Sequence, residues 1–180
     1  KELIVEKLQE GRSPIFLRGW DESSAQVTRG FIDEITVDTP VILIRRCGRK
    51  AVVNKPVIDT VDFSTESSYV DPASGTVTEN AIKILYSAIK ENFDIKKAFE
   101  HAVGYLTSKG YGFVHSDDLH GITPEELPFE NSKLKIFEKV AVNSCDELFS
   151  FSEQGYFEYF RSVKIYVDGS FGARTALLSQ

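Results

Sequence analysis

Leu3, Ile4 and Leu8 recur at helical spacing among charged neighbours, so Lys1 to about Glu10 reads as an amphipathic helix closed by Gly11. Pro14-Ile15-Phe16-Leu17-Arg18-Gly19 reads as a short strand stopped by glycine. Asp21 to Gly30 is polar and either helical or loop. Phe31 to Thr36 leads into a turn around Asp38-Thr39-Pro40. Val41-Ile42-Leu43-Ile44-Arg45-Arg46 is the strongest strand pattern, β-branched, apolar and bounded by turn residues. Lys50 to Asn54 either continues that strand or begins a helix. Asp62 to Gly75 is rich in Ser, Thr and Asp, contains Asp71-Pro72, and reads as loop and turn.

The rhythm changes near Thr78. A helical pattern runs from there through about Glu91. A second follows, with Ala98, Phe99, Ala102, Val103, Tyr105 and Leu106 as its apolar stripe and Ser108-Lys109-Gly110 as its end. Tyr111 to Ser116 is a strand, Lys133 to Val142 alternates as a strand, and the aromatic-rich stretch Phe149 to Phe160 is helical. Arg161 to Val167 is a strand that leaves through Asp168-Gly169-Ser170-Phe171-Gly172. Helix then strand is the rhythm of parallel α/β architecture. The first half shows no clear βαβ unit and reads as an α+β lobe. There is no internal repeat and no low-complexity segment.

Composition narrows the classes. Of the 180 residues 42% are hydrophobic and 27% charged, the balance of a globular chain with a core of its own. No apolar run approaches the ~18–20 residues that span a bilayer, so no membrane partner is expected. Cys47 and Cys145 are far apart without ligand spacing and imply isolated thiols in a reducing, cytoplasmic setting. A net charge of −6 disfavours polyanions; Arg45, Arg46, Arg49 and Lys50 form a local basic cluster, but no nucleic-acid partner is expected. The chain opens Lys1-Glu2-Leu3, has no methionine, and stops within an apolar pattern. That fits a piece of a larger protein, or a short docked C-terminal segment.

Candidate chemistry is sparse. His101, His115 and His120 lack the spacing of a metal site. His101 sits within a helix, on a surface or groove. His115 lies at the C-terminal end of a predicted strand, where α/β proteins gather ligands. A loop histidine beside the solvated pair Asp117-Asp118 is the preferred alternative. Glu125 and Glu126 after Thr123-Pro124 read as the acidic first turn of a helix, with no catalytic role needed. Asp168 to Gly172 lacks both the Gly-Lys-Ser/Thr ending of a P-loop and a dinucleotide fingerprint. In the preceding strand Lys164, Tyr166 and Asp168 share one face. On an exposed sheet Lys164 simply faces water. In a closed parallel barrel it points inward, where an ammonium must be paired, deprotonated or modified.

Residues 163–178, Val-Lys-Ile-Tyr-Val-Asp-Gly-Ser-Phe-Gly-Ala-Arg-Thr-Ala-Leu-Leu, resemble the signature strand and loop of the metal-dependent amidohydrolases of family 3. That group includes enzymes like N-substituted formamide deformylase and proteins called exoenzyme regulators. Three further stretches match in family order: Leu17 to Glu22, with Gly19-Trp20-Asp21; Asp38-Thr39-Pro40-Val41 through Asn54; and Gly75 to Ala81, with Glu79. The resemblance implies an α/β fold, a (β/α)8 barrel with an α+β lobe inserted early. Lys1 to about Gly11 would be an early barrel helix, 12–80 the lobe, and 81–180 part of the barrel, with strands two to four near 111–116, 134–142 and 163–168.

It also implies hydrolysis of an amide-like, non-peptide C–N bond in a small-molecule substrate. Zinc or another divalent metal would supply hydroxide near neutral pH and polarise the scissile carbonyl. Lys164 matches the fourth-strand lysine that can carry a metal-bridging carbamate, with burial favouring the reactive neutral amine. Trp20, Asp168 and Arg174 are candidate substrate-binding residues; Trp20 equally fits packing in the lobe and Arg174 an ion-pairing loop residue. Two departures stand out. Arg49 occupies the place of a histidine common in the family, and the other metal ligands find no match within Lys1–Gln180. The expectation is therefore an internal fragment, metal-free, inactive by itself and prone to self-association. The alternative is a stand-alone binding or regulatory module derived from an amidohydrolase.

Overall fold

Val41–Arg45 is buried on both faces, and the first part of the chain is organised around it. The computed structural model describes all residues except 24–25, 91–93, 118–125, 128, 130–131, 172, 174 and 178–180. The chain divides into two units, Lys1–Asn92 with Asp168–Gln180, and Phe93–Val167.

In the first unit the elements run α1 (Glu2–Gln9), β1 (Ile15–Trp20), α2 (Arg29–Asp33), β2 (Val41–Arg45), β3 (Lys50–Val53) and α3 (Lys55–Thr60). A 3-10 turn (Ser64–Tyr69), β4 (Val70–Asp71), β5 (Thr76–Thr78) and α4 (Asn80–Lys90) complete it. The sheet order is β1-β2-β3-β5-β4. Alternate residues of β2 and β3 serve different layers, as the two-residue period of a strand requires. Ile42, Ile44, Ala51 and Val53 pack with Val57 of α3 and Ala81, Leu85 and Ile89 of α4. Val41, Leu43 and Val52 pack with Ile4 of α1 and Ile32 of α2. The sheet is thus covered on both sides, which is why β2 reads as an unbroken apolar run.

Several local expectations change. β1 pairs with β2 in parallel, Ile15 opposite Val41 through Arg18 opposite Ile44, so β1–α2–β2 is a βαβ unit after all. Its helix spans only five residues, too short for the helical period that marks a crossover, and is capped by the Thr28 hydroxyl, which accepts from Phe31 N–H at 3.3 Å. Lys50 to Val53 resolves as a strand, antiparallel to β2. α3 follows with Pro56 in its first turn, where a missing N–H costs nothing. The expected loop from Asp62 to Gly75 contains the 3-10 turn and β4. Gly75 has φ 74, and a Cβ there would lie 2.2 Å from the Val53 carbonyl oxygen.

Asn54 joins these pieces. It is fully buried, its Oδ1 accepts from Val41 N–H at 2.8 Å, and its Nδ2 donates to the Thr39 carbonyl at 2.9 Å. Nδ2 also lies 3.4 Å from the Thr36 carbonyl, so one side chain serves both the turn before β2 and the first residue of β2.

The second unit contains α5 (Ile95–Ser108), β6 (Phe113–His115), β7 (Lys135–Phe137), β8 (Val140–Ala141), α6 (Cys145–Glu153), α7 (Tyr156–Tyr159) and β9 (Val163–Lys164). β6 pairs with β7 and β8 with β9, both in parallel. The strand expected over 133–142 is therefore interrupted at Glu138-Lys139 and changes neighbour there. The helix expected over 149–160 is two helices starting earlier, capped by Ser144 and separated at Gly155. Val140, Tyr156 and Phe160 form the small core. A cavity of about 290 Å³ lies between the α5 stripe and the Val114–Ile136 face of β6–β7, and Ser116 and Glu138 also line it. Thr123, Pro124 and Glu125 lie outside the described residues. Among the described residues no helix is long and apolar enough to cross a membrane.

Candidate functional site

The chemistry of the second unit gathers where β6, β7 and β9 end. Strand alternation along 113–117 places Phe113, His115 and Asp117 on one face and Val114 and Ser116 on the other. Lys164, the last residue of β9, donates through Nζ to the Asp117 carboxylate, and Nζ lies 4.4 Å from the centre of the Tyr166 ring. Lys139 Nζ donates to the Ser116 carbonyl at 3.1 Å and lies 3.8 Å from Asp117 Oδ1. Asp117 thus meets two ammonium groups.

The Lys164 side chain is 20% exposed. Burial pushes its pKa down, but the Asp117 carboxylate and the Tyr166 hydroxyl outweigh that and raise it above the ordinary lysine value. The ammonium is the stable form here. A carbamate needs the neutral amine, so it requires Asp117 to be displaced from Nζ. Asp117 was legible in sequence only as half of a solvated pair; the two-residue spacing from His115 is the signal that puts it on the strand-end face.

The His115 ring meets Phe113 edge-on and Phe137 at a tilt, each ring centre 5.0 Å away. His101 is exposed on α5. His120 lies outside the described residues.

In the first unit Trp20 is half-buried against the α1–α2 side of the sheet, and its indole N–H donates to the Leu43 carbonyl at 3.1 Å. Asp168 accepts from Gly169 N–H at 2.6 Å and from Leu177 N–H at 2.9 Å, closing its own loop. Arg174 lies outside the described residues. The basic cluster sits on the β2–β3 hairpin, and three of its members meet carboxylates. Arg45 donates to Glu22 at 2.7 Å and to Asp21 at 3.2 Å, Lys50 donates to Glu22 at 2.8 Å, and Arg49 pairs with Glu79. The Lys50 ammonium, then the Arg45 guanidinium, hold the Glu22 carboxyl below its ordinary pKa.

Among the described residues no three His, Cys, Asp or Glu side chains converge on one point as metal ligands. A catalytic zinc takes three protein ligands and a water. Lys164 and Asp117 alone fall short of that set, so the described residues do not by themselves make a metal site.

Family comparison makes the class definite. Residues 6–180 match the amidohydrolase family, and the chain belongs to it. An uncharacterized metal-dependent hydrolase of Pyrococcus furiosus is similar over 99% of this chain and 41% of its own, at 32% identity and a TM-score of 0.58. A second such hydrolase, from Pyrococcus horikoshii OT3, is similar over 99% of this chain and 39% of its own, at 25% identity and a TM-score of 0.54. The Bacillus subtilis (strain 168) protein named "Putative amidohydrolase YtcJ" is 24% identical over 90% of this chain and 36% of its own length. The chain thus spans about two-fifths of the relatives it matches.

Proposed function

We propose that this chain is a segment of a metal-dependent hydrolase acting on amide-like, non-peptide C–N bonds of small molecules, in the manner of the formamide deformylase-like branch. In this reading Phe93–Val167 supplies strands of a (β/α)8 barrel, and the five-stranded sheet with its helices is a lobe inserted early. The observation that carries the reading is Lys164. It ends a parallel strand inside a family match, faces the same charged cluster as the ends of β6 and β7, and is held by a carboxylate. Lys164 is assigned as the metal-side residue of the complete protein, and its remaining partners are assigned to sequence beyond these 180 residues. Trp20, Asp168 and Arg174 are kept as candidates for the pocket wall. Their present contacts already give Trp20 and Asp168 structural work.

The test is metal analysis and turnover on the purified 180-residue chain. The expected result is no stoichiometric zinc, an intact Lys164 mass, and no release of amine from N-formyl and N-acyl amines. Tight one-to-one zinc, or turnover that survives exhaustive purification, would refute the assignment of the remaining ligands to other sequence. The same assays on the chain joined to its neighbouring sequence should give metal and activity, both lost in Lys164→Ala.

A further inference from the structure

Glu79 stands between two partners within the first unit. Its Oε2 accepts from Arg49, with Nε at 2.9 Å, and its Oε1 accepts the Thr175 hydroxyl proton. The side chain is only 10% exposed. Its backbone has φ 47, a left-handed conformation that side chains other than Asn and Asp rarely adopt and that persists where surroundings over-determine it.

Thr175 is the hub of the loop that follows β9 in the chain. Its hydroxyl oxygen accepts from Ser170 N–H at 2.9 Å, and its own N–H donates to the Ser170 carbonyl at 3.1 Å. Gly169 passes so close that a Cβ there would lie 2.2 Å from the Thr175 carbonyl oxygen. Asp168 closes the far side through Leu177 N–H. A hydroxyl has one proton to give, and Thr175 gives it to Glu79. The bonds therefore run in series, from Ser170 N–H through the Thr175 hydroxyl to Glu79, with the Arg49 guanidinium fixing the carboxylate from behind.

We propose that Glu79 is a positioning residue that fixes the Asp168–Leu177 loop through the Thr175 hydroxyl, and that Arg49 holds Glu79 in place for it. This ties the β2–β3 hairpin turn, where Arg49 sits, to the loop carrying Asp168. The purpose of the loop rests on the hydrolase reading; its fixing does not.

The experiment is amide hydrogen exchange by NMR on the full chain. Thr175→Val removes both bonds of the Thr175 hydroxyl and should raise exchange at the Thr175, Ala176 and Leu177 amides at least about three- to tenfold, the range for one hydrogen bond. The Leu43 and Val52 amides in the core should be unmoved, and Thr175→Ser should restore protection. Glu79→Ala leaves the Ser170 N–H bond to the Thr175 hydroxyl in place and should raise the same amides by less, and the double variant should add nothing to the Thr175→Val effect. If Glu79→Ala does not fold, Thr175→Val and its serine rescue decide alone. Unchanged loop amides in Thr175→Val, or a uniform rise that includes Leu43 and Val52, overturns the proposal. Turnover is not read, so a failed hydrolase reading leaves this result intact, and the reverse holds too.

Discussion

Replacing Asn54 by alanine removes a buried hydrogen bond from Val41 N–H and the Nδ2 bonds to the Thr39 and Thr36 carbonyls, while leaving the backbone partners in place. Asn54 is fully buried and serves Val41 N–H at 2.8 Å and the Thr39 carbonyl at 2.9 Å. Each group left without a partner costs about 1–3 kcal/mol, so Asn54→Ala should destabilise by about 4 kcal/mol. With a urea slope of about 2 kcal/mol/M, the midpoint falls by about 2 M. Trp20 is the sole tryptophan, lies in the same unit and contacts β2, so its fluorescence follows this transition without interference. Asn54→Asp keeps an acceptor for Val41 but loses the donor to Thr39 and buries a charge, so it should be no better tolerated. A midpoint within about 0.5 M of the parent for Asn54→Ala would show that water or a backbone shift satisfies these groups, and the argument from Asn54 would fail.

Other perturbations have clear signs. Gly75→Ala sets a Cβ 2.2 Å from the Val53 carbonyl at φ 74 and should cost more than about 2 kcal/mol in the same urea assay. Asp117→Asn should lower the Lys164 pKa, read from its Nζ or Cε resonance in an NMR titration; an unchanged value would remove Asp117 as the cause. Because the folded pKa of Lys164 is raised, its stabilisation is complete below the ordinary lysine value and lost as pH climbs through the raised one. Glu22 behaves oppositely: its contribution is present above the ordinary glutamate value and fades as pH falls through the depressed one. The Glu22 side chain is 38% exposed, so Glu22→Gln should cost under about 1 kcal/mol, and less at high salt. Ile165 and Val167 are 68% and 93% exposed, and the chain should self-associate in sedimentation at rising concentration, an effect that Ile165→Lys with Val167→Lys reduces.

The elements legible in the sequence were those with a long period or hard punctuation. α1 closes at Gly11, β2 is a β-branched run, and α4 and α5 carry helical stripes. What escaped was short or depended on distant partners. α2 has five residues, so its role as a crossover between parallel strands shows only when Ile15 is found opposite Val41. α3 had a signal, Pro56, that lay hidden beside the ambiguous Lys50–Asn54 stretch. The break at Glu138-Lys139 carries one faint mark, the charged Glu138 at the parity of Leu134, Ile136 and Val140, but one polar residue does not say that the strand changes neighbour. At the site, the strand expected over 161–167 shortens to Val163–Lys164, so Lys164 was legible as a strand residue while Tyr166, beyond the strand, is placed near it by contact and not by strand period. The Lys164 partner Asp117, 47 residues earlier, was not legible, since period assigns a face but not a neighbour.

The change of neighbour at Glu138-Lys139 has a consequence for how this region is tied together. A continuous central strand shares its hydrogen bonds with both sides, so that losing one ladder strains the other. Here residues 135–137 are bonded to β6 and residues 140–141 to β9, and the described pairs place no residue between the two neighbours. The peptide link through Glu138 and Lys139 is the backbone connection, and Lys139 reaches back to β6 only through its side chain. The two ladders therefore share no backbone pairing, and the bridges between them are side chains, Lys164 to Asp117 and Lys139 to the Ser116 carbonyl. Lys164 reaches the end of β6 by another route, through its side chain to Asp117, so contact at Lys164 is felt there without passing along β8.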